Sequence, residues 1–207
     1  MNTEAFNFIR EHYAPARVCL VGLSDPLFEL VRMGQSDITP DHMRSRWNHS
    51  FLLGEQRGLL WWKRISILES DFHFSFRKAQ FINGPRESLL QKWCKDSIEY
   101  ACVLGMALSR KEEQQVLAKA SAIARDKRYR YPVGGLFGTL WAMRAGTLHK
   151  RNIFDMKFAV QCSAYVRLCY QAINRDPLAG STDDISNTSP ERLSQSTSFT
   201  VRHEWQR

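Results

Sequence analysis

The hydrophobic and polar positions change period several times along the chain, and each change marks an element. Phe6 and Ile9 fall on one side of a short helix over residues 3–12, with Thr3 placed to cap it. Residues 17–23 (RVCLVGL) are a compact apolar run rich in β-formers, the pattern of a buried strand. Ser24-Asp25-Pro26 then reads as a helix start, since Ser caps and Pro suits the first turn. Leu27, Leu30 and Val31 follow at helical spacing, and Gly34 supplies the stop. The polar stretch 35–46, with Pro40 inside it, reads as a loop.

Two strand-like runs come next, residues 47–53 (WNHSFLL) and 59–76 (LLWWKRISILESDFHFSF). The gap from Gly54 to Gly58 suits a hairpin. The second run alternates around Ile65, Ile67 and Glu69, as a half-buried strand does. Gly84-Pro85 predicts a break in the chain, followed by a short helix over 86–96 that carries Leu89, Leu90 and Trp93. Residues 98–104 form a further strand candidate. Ser109 and Glu112 make a capping-box pair for a helix with Val116, Leu117, Ala120, Ile123 and Ala124 on one stripe. Residues 129–138 (YRYPVGGLFG) read as a turn-rich connector, without the Gly-Lys-Ser/Thr of a phosphate loop. Residues 157–173 run from a short extended piece into a helix, with Cys162 at the junction. From 176 to 198 the composition shifts to Ser, Thr, Asp, Asn and Pro, which reads as loop or tail.

Composition narrows the class. The chain has 207 residues, of which 43% are hydrophobic and 12% aromatic. That supports one domain over 1–207, with a core at about 17–195 and a polar C-terminal segment, 176–207. A wholly disordered chain is excluded. The 29 Lys+Arg against 21 Asp+Glu leave a net charge of +8, scattered between apolar runs rather than blocked. A solvated basic face is the simplest reading, and affinity for a polyanionic polymer or membrane surface is the functional one. The longest apolar stretch, Tyr100 to Leu108, is far short of the roughly 20 residues of a membrane span, so no transmembrane segment is expected. The first ten residues lack the basic-then-apolar pattern of a signal peptide. Five irregularly spaced cysteines do not make a disulfide framework. With no C-x-x-C pair, no structural zinc of the usual kind is expected.

Candidate chemistry then reduces to a Cys–His arrangement, because no G-x-S-x-G, H-E-x-x-H or Walker pattern is present. Cys162 has the best local setting. A thiol at a helix N-terminus faces unpaired N–H groups and the positive end of the helix dipole, which favour thiolate. The same N–H groups suit an oxyanion hole. Cys169, two turns further on, falls on the apolar stripe and reads as core. Glu69 lies in a run of Ile, Leu and Phe, and a buried acid needs a partner. His49, His42 and His73 compete for that place, and Asp71 competes with Glu69 for the acid position. Spacing alone leaves both choices open.

The order of these features resembles the circularly permuted papain-like peptidases, relatives of the NlpC-type cell-wall hydrolases that include YiiX-like and lecithin–retinol acyltransferase-like proteins. Four stretches carry the resemblance: Trp47-Asn48-His49-Ser50-Phe51, Ile67-Leu68-Glu69-Ser70, the segment from Leu108-Ser109 to Tyr129-Arg130-Tyr131, and Gln161-Cys162-Ser163-Ala164-Tyr165-Val166. Ser189-Pro190-Glu191-Arg192-Leu193 is similar to the family's closing segment, which implies a partly ordered tail. Ala164 stands where the family often has Glu, and Val21-Gly22-Leu23-Ser24-Asp25 replaces its usual Gly-Asp-Ile opening. These departures bear on substrate specificity more than on the catalytic pair.

The resemblance implies an α+β, permuted papain-like fold with an antiparallel sheet packed against the Cys162 helix. It implies Cys162 as nucleophile, His49 as base and Glu69 as its orienting acid, chemistry for which no metal or organic cofactor is expected. It implies amide bonds of peptidoglycan peptides as substrate. An effector delivered by type VI secretion, which needs no signal peptide, would have a neutralising immunity protein as partner. Nucleic acid is not an expected partner. Two alternatives stand beside this reading: acyl transfer or thioester/ester hydrolysis on a lipid, and a non-catalytic basic binding module.

Overall fold

The unbroken apolar run at Val18–Leu23 becomes a strand, β1, with every position buried. A strand apolar on both faces belongs at the centre of a sheet covered on both sides. Here β1 pairs antiparallel with His49–Arg57 (β2) on one side and Ile98–Gly105 (β5) on the other. Beyond β2 lie Arg64–Ser75 (β3) and Gln80–Leu89 (β4), and beyond β5 lies Val201–Gln206 (β6). The six strands form one antiparallel sheet in the order β4-β3-β2-β1-β5-β6. This computed structural model describes residues 3–58, 64–75, 80–152 and 158–207, and the chain is α+β.

The two-residue period sends alternate side chains to two cores. Val18, Leu20, Leu52, Leu68, Cys102 and Leu104 pack against the helices Arg110–Arg125 (α3 below) and Cys162–Gln171 (α5 below). Cys19, Val21, Phe51, Leu53, Ile65 and Ile67 pack against Ala5 and Ile9 of Glu4–Glu11 (α1) and against Trp93. Each large side chain so buried contributes roughly 1.5–3 kcal/mol. Two further helices complete the chain order: Pro26–Gly34 (α2) comes before β2, and Val133–Arg144 (α4) falls between α3 and α5. A short helix, Pro190–Ser194 (α6), precedes β6. Among the described residues no helix is long and apolar enough to cross a membrane.

The capping box forms as its spacing predicts: Ser109 accepts from the Glu112 N–H, and the Glu112 carboxylate accepts from the Ser109 N–H. Thr3 and Asp25 occupy the N-cap positions of α1 and α2, but neither side chain makes a capping bond. In α2, Val31 is buried while Leu30 and Met33 stand exposed.

Four expectations are corrected. Gly84-Pro85 does not break the chain; both lie within β4, whose register with β3 runs unbroken through them. An edge strand tolerates Pro because one side of its ladder is empty. Gly84 has φ +113°, and a Cβ there would meet the Tyr129 carbonyl at 2.8 Å, so only Gly fits. Residues 86–96 are accordingly the end of β4 and a single 3₁₀ turn, Leu90–Trp93, not a helix. The connector at 129–138 turns helical from Val133, its glycines allowing close approach: a Cβ on Gly135 would lie 2.9 Å from Pro132. The proposed turn at Gly54–Gly58 is instead strand as far as Arg57, with a register shift between Leu53 and Gln56; residues 59–63 lie outside the described residues.

The polar segment 176–198 is built in by hydrogen bonds rather than apolar pattern. Buried Arg167 holds Asp176 with two bonds of 2.8 Å and the Asp183 carbonyl with a third. Ser189 caps α6, and the Glu191 N–H donates to Gln35.

These contacts set two stability expectations, both read by urea denaturation. Ser109→Ala removes the cap and costs about 1 kcal/mol. A Cβ at Gly22 would lie 1.9 Å from the Arg46 carbonyl oxygen. Gly22→Ala is therefore expected to cost on the order of 3 kcal/mol. Equal midpoints for the two variants would contradict the close approach.

Candidate active site

Cys162 owes its position to the strand-like lead-in before it. Ala159 bridges Arg130 in parallel: the Arg130 N–H donates to the Phe158 carbonyl (2.8 Å), and the Val160 N–H donates to the Arg130 carbonyl (2.9 Å). Ser70 of β3 donates to the Val160 carbonyl at 2.6 Å, tying the lead-in to the sheet. Gln161 is the N-cap residue, and its side-chain amide donates to Thr139 of α4 at 2.9 Å. Helix α5 then begins at Cys162 itself, so the thiol and the first free N–H groups of the helix share one end. The same bridge brings Tyr131, next to Arg130, toward the sulfur, and burial together with the negative charge of Cys162 and Asp71 raises its phenol.

His49 opens β2. Asn48 just before it accepts from the Leu23 N–H and donates to the Leu23 carbonyl, which pins the start of β2 against the end of β1. The two-residue period that places Phe51 and Leu53 on the Trp93 side of the sheet places His49 there too. The imidazole lies 5.0 Å from the Trp93 ring and 6.2 Å from Phe51. Glu69 continues the Ile65–Ile67 period on β3 and has no exposed surface. Its Oε2 is 3.3 Å from His49 Nε2, and the Cys162 thiol lies near enough to the same ring for each to shift the other's pKa. The structure thus brings together Cys162, His49 and Glu69, the three residues that the resemblance implied.

Charge explains how these groups stand. Burial alone would drive His49 below its ordinary value, but its interactions with Cys162 and Glu69 and the negative charge of Cys162 and Asp71 raise it to about 9. Burial would also raise the Cys162 thiol; the His49 bond and charge, the Ser50 N–H and the Ser163 hydroxyl outweigh it and lower the thiol. For Glu69, burial is again overcome, here by His49 and the Lys92 ammonium, which bring the carboxyl down to about 2. All three shifts favour a thiolate, an imidazolium and a carboxylate in a row.

The competing residues fall elsewhere. His42 is exposed in the loop after α2. His73 sits four residues beyond Glu69 in β3, paired through its backbone with Ile82; its side chain lies outside the described part. Asp71 points its Oδ2 at Lys92 and Arg86, while the bond to the His49 ring at Nε2 comes from Glu69. Cys169 is buried in the core, as its stripe predicts, and burial raises its thiol. Cys19 and Cys102 are alike, but Cys94 is only half-buried.

Sequence reading missed Ser50, Ser163, Tyr131 and Lys92 as members of the site. Ser50 and Ser163 hydroxyls lie 2.9 Å apart beneath the thiol. Their adjacency to His49 and Cys162 in sequence was the one available signal. Tyr131 and Lys92 arrive by tertiary pairing and left no local signal. Among the described residues no group of three or more His, Cys, Asp or Glu side chains is arranged to hold a metal ion. No family model and no curated protein matches the chain.

Alkylation by iodoacetamide, mapped by peptide mass spectrometry, reads the thiol state. Cys162 is expected to react faster than the more exposed Cys94 at pH 6.5, because one thiol is lowered and the other raised. The imidazolium partner is present below about pH 9 and is lost as pH rises through that value. A Cys162 profile with a single rise at the ordinary thiol value, near 9, would contradict the pairing.

Proposed function

We propose that the chain is a cysteine hydrolase with a permuted papain-like arrangement, cleaving amide bonds by a Cys162–His49–Glu69 triad. The observation that carries this is the buried His49 ring, 3.3 Å from the Glu69 carboxylate and electrostatically coupled to a thiol at a helix N-terminus. With Nε2 engaged by Glu69, Nδ1 is the nitrogen that exchanges the thiol proton. The Cys162 thiolate attacks the carbonyl carbon, forming a C–S bond and a tetrahedral oxyanion. The N–H groups of the first α5 turn stabilise that oxyanion. The C–N bond then breaks, and the His49 imidazolium gives its proton to the departing amine. Water, deprotonated by His49, cleaves the resulting thioester and restores the thiolate and imidazolium. Glu69 holds the ring and stabilises its charged form throughout.

Peptidoglycan peptides are the substrate class this reading favours, and the +8 charge supports affinity for a polyanionic wall. A neutralising partner would then have to cover the surface over the N-terminal end of α5. A second reading, acyl transfer or ester cleavage on a lipid, draws on α4. Phe137 and Trp141 are 62% and 68% exposed, on a helix whose Thr139 holds the residue before Cys162. These two side chains make an apolar face open to water on the side of α4 turned away from Thr139, and such a face suits an acyl chain.

Incubation with purified peptidoglycan and, separately, with acyl lipids, followed by mass spectrometry of products, separates the two. Wild type is expected to release wall peptides and Cys162→Ala to release none. His49→Ala is expected to be slower by about 10²–10⁴-fold. Cleavage of lipid but not wall would move the assignment to the second reading. Equal product from wild type and Cys162→Ala would sink both.

A further inference from the structure

Behind the His49–Glu69 pair lies a second acid that the triad does not use. Glu69 and Asp71 are two residues apart on β3, so they share one face of the strand, and both are buried. Two carboxylates sharing a buried site cannot both ionise without a cation; one takes up a proton near neutral pH. The nearest cation is Lys92. Its Nζ lies 2.7 Å from Glu69 Oε1 and 2.5 Å from Asp71 Oδ2. The Arg86 guanidinium stands further off, 3.5 Å from the same two oxygens.

The geometry divides the Glu69 carboxylate between two partners. Oε1 accepts from Lys92, and Oε2 faces His49 Nε2. A carboxylate held at both oxygens cannot rotate away from the imidazole. The turn that delivers Lys92, Leu90–Trp93, also delivers Trp93, whose ring packs against His49. The Lys92 ammonium lies 5.0 Å over that same indole ring, and Lys95 lies 5.0 Å from it as well. One turn at the end of the edge strand therefore fixes both the acid and the imidazole.

We propose that Lys92 is a positioning residue: it keeps Glu69 and Asp71 ionised side by side and holds Glu69 in the orientation His49 requires. Lys92 has this role only if Cys162 and His49 form the reactive pair proposed above. Among the described residues, the charged and titratable groups around Glu69 enter this scheme together. They are His49 from β2, Asp71 from β3, Arg86 from β4, Lys92 and Lys95 from the turn and just beyond it, and Cys162, Tyr131 and Tyr165 from the α5 side.

The test is the pH profile of Cys162 alkylation by iodoacetamide, with near-ultraviolet circular dichroism to verify folding. In Lys92→Met the two acids share a proton, Glu69 loses charge near neutrality, and the thiolate loses its imidazolium. The acid limb of reactivity is expected to move up by about one pH unit, so the rate at pH 6 falls roughly tenfold. Lys92→Arg keeps the charge and is expected to retain the wild-type limb. Asp71→Asn/Lys92→Met removes one charge of each sign and is expected to return the limb to the wild-type position. That double variant carries the test if Lys92→Met alone does not fold. A folded Lys92→Met with the wild-type limb overturns the proposal, as does a folded double variant whose limb stays displaced. An ordinary thiol profile in the wild type is a separate failure: it removes the reactive pair itself, and the role of Lys92 with it.

Discussion

A carboxylate with no contact with water is the constraint on which the rest of this structure turns. Leaving Glu69 charged and unpaired in the interior would cost several kcal/mol. The chain meets that cost with partners drawn from separate strands: His49 from β2, Arg86 from β4 and Lys92 from the turn after it. The three strands must therefore lie side by side in one register, with the turn folded back over their ends. A buried ion pair of this kind adds little net stability compared with an apolar cluster, but it admits few alternative arrangements. The order β4-β3-β2 and the orientation of the imidazole are two expressions of the same electrostatic requirement.

The same reasoning separates the five cysteines. Cys19, Cys102 and Cys169 are buried among apolar side chains, which raises their thiols and leaves them inert packing groups. Cys162 is buried too, yet its thiol moves the other way, because an imidazole, a backbone N–H and a hydroxyl all reach it. Burial sets the direction only where nothing charged or donating is near. What sets Cys162 apart from the other buried cysteines is its neighbours, not its depth.

That distinction also marks the limit of what the sequence could tell. Patterns that act within a few residues were legible: the two-sided apolar run of β1, the alternation that placed Glu69 on a buried face, the Ser109–Glu112 box and the helix start at Cys162. Contacts made across the chain were not. Lys92 lay in a segment that read as a helix. Its meaning depends on an edge strand that continues through Gly84-Pro85, a dipeptide that locally signals a stop. The tail was unreadable for a related reason. Its Ser, Asp and Asn residues match the composition of a linker, and only their pairing with Arg167 and Gln35 makes them structure. Helix α4, with three glycines in its first half, is a case where packing overrides propensity.

Gly84-Pro85 has a consequence at the scale of whole molecules. Among the described residues β4 and β6 are the outer strands of the sheet, and an open strand invites another chain to add to it. Pro85 offers no N–H to such an intruder. On the opposite margin, β6 turns Arg202 and Glu204 outward, two charges that a docking strand would have to bury. A sheet whose central strand is apolar on both faces is thus guarded at each rim against self-association, and one of the guards is the residue pair that locally reads as a flaw.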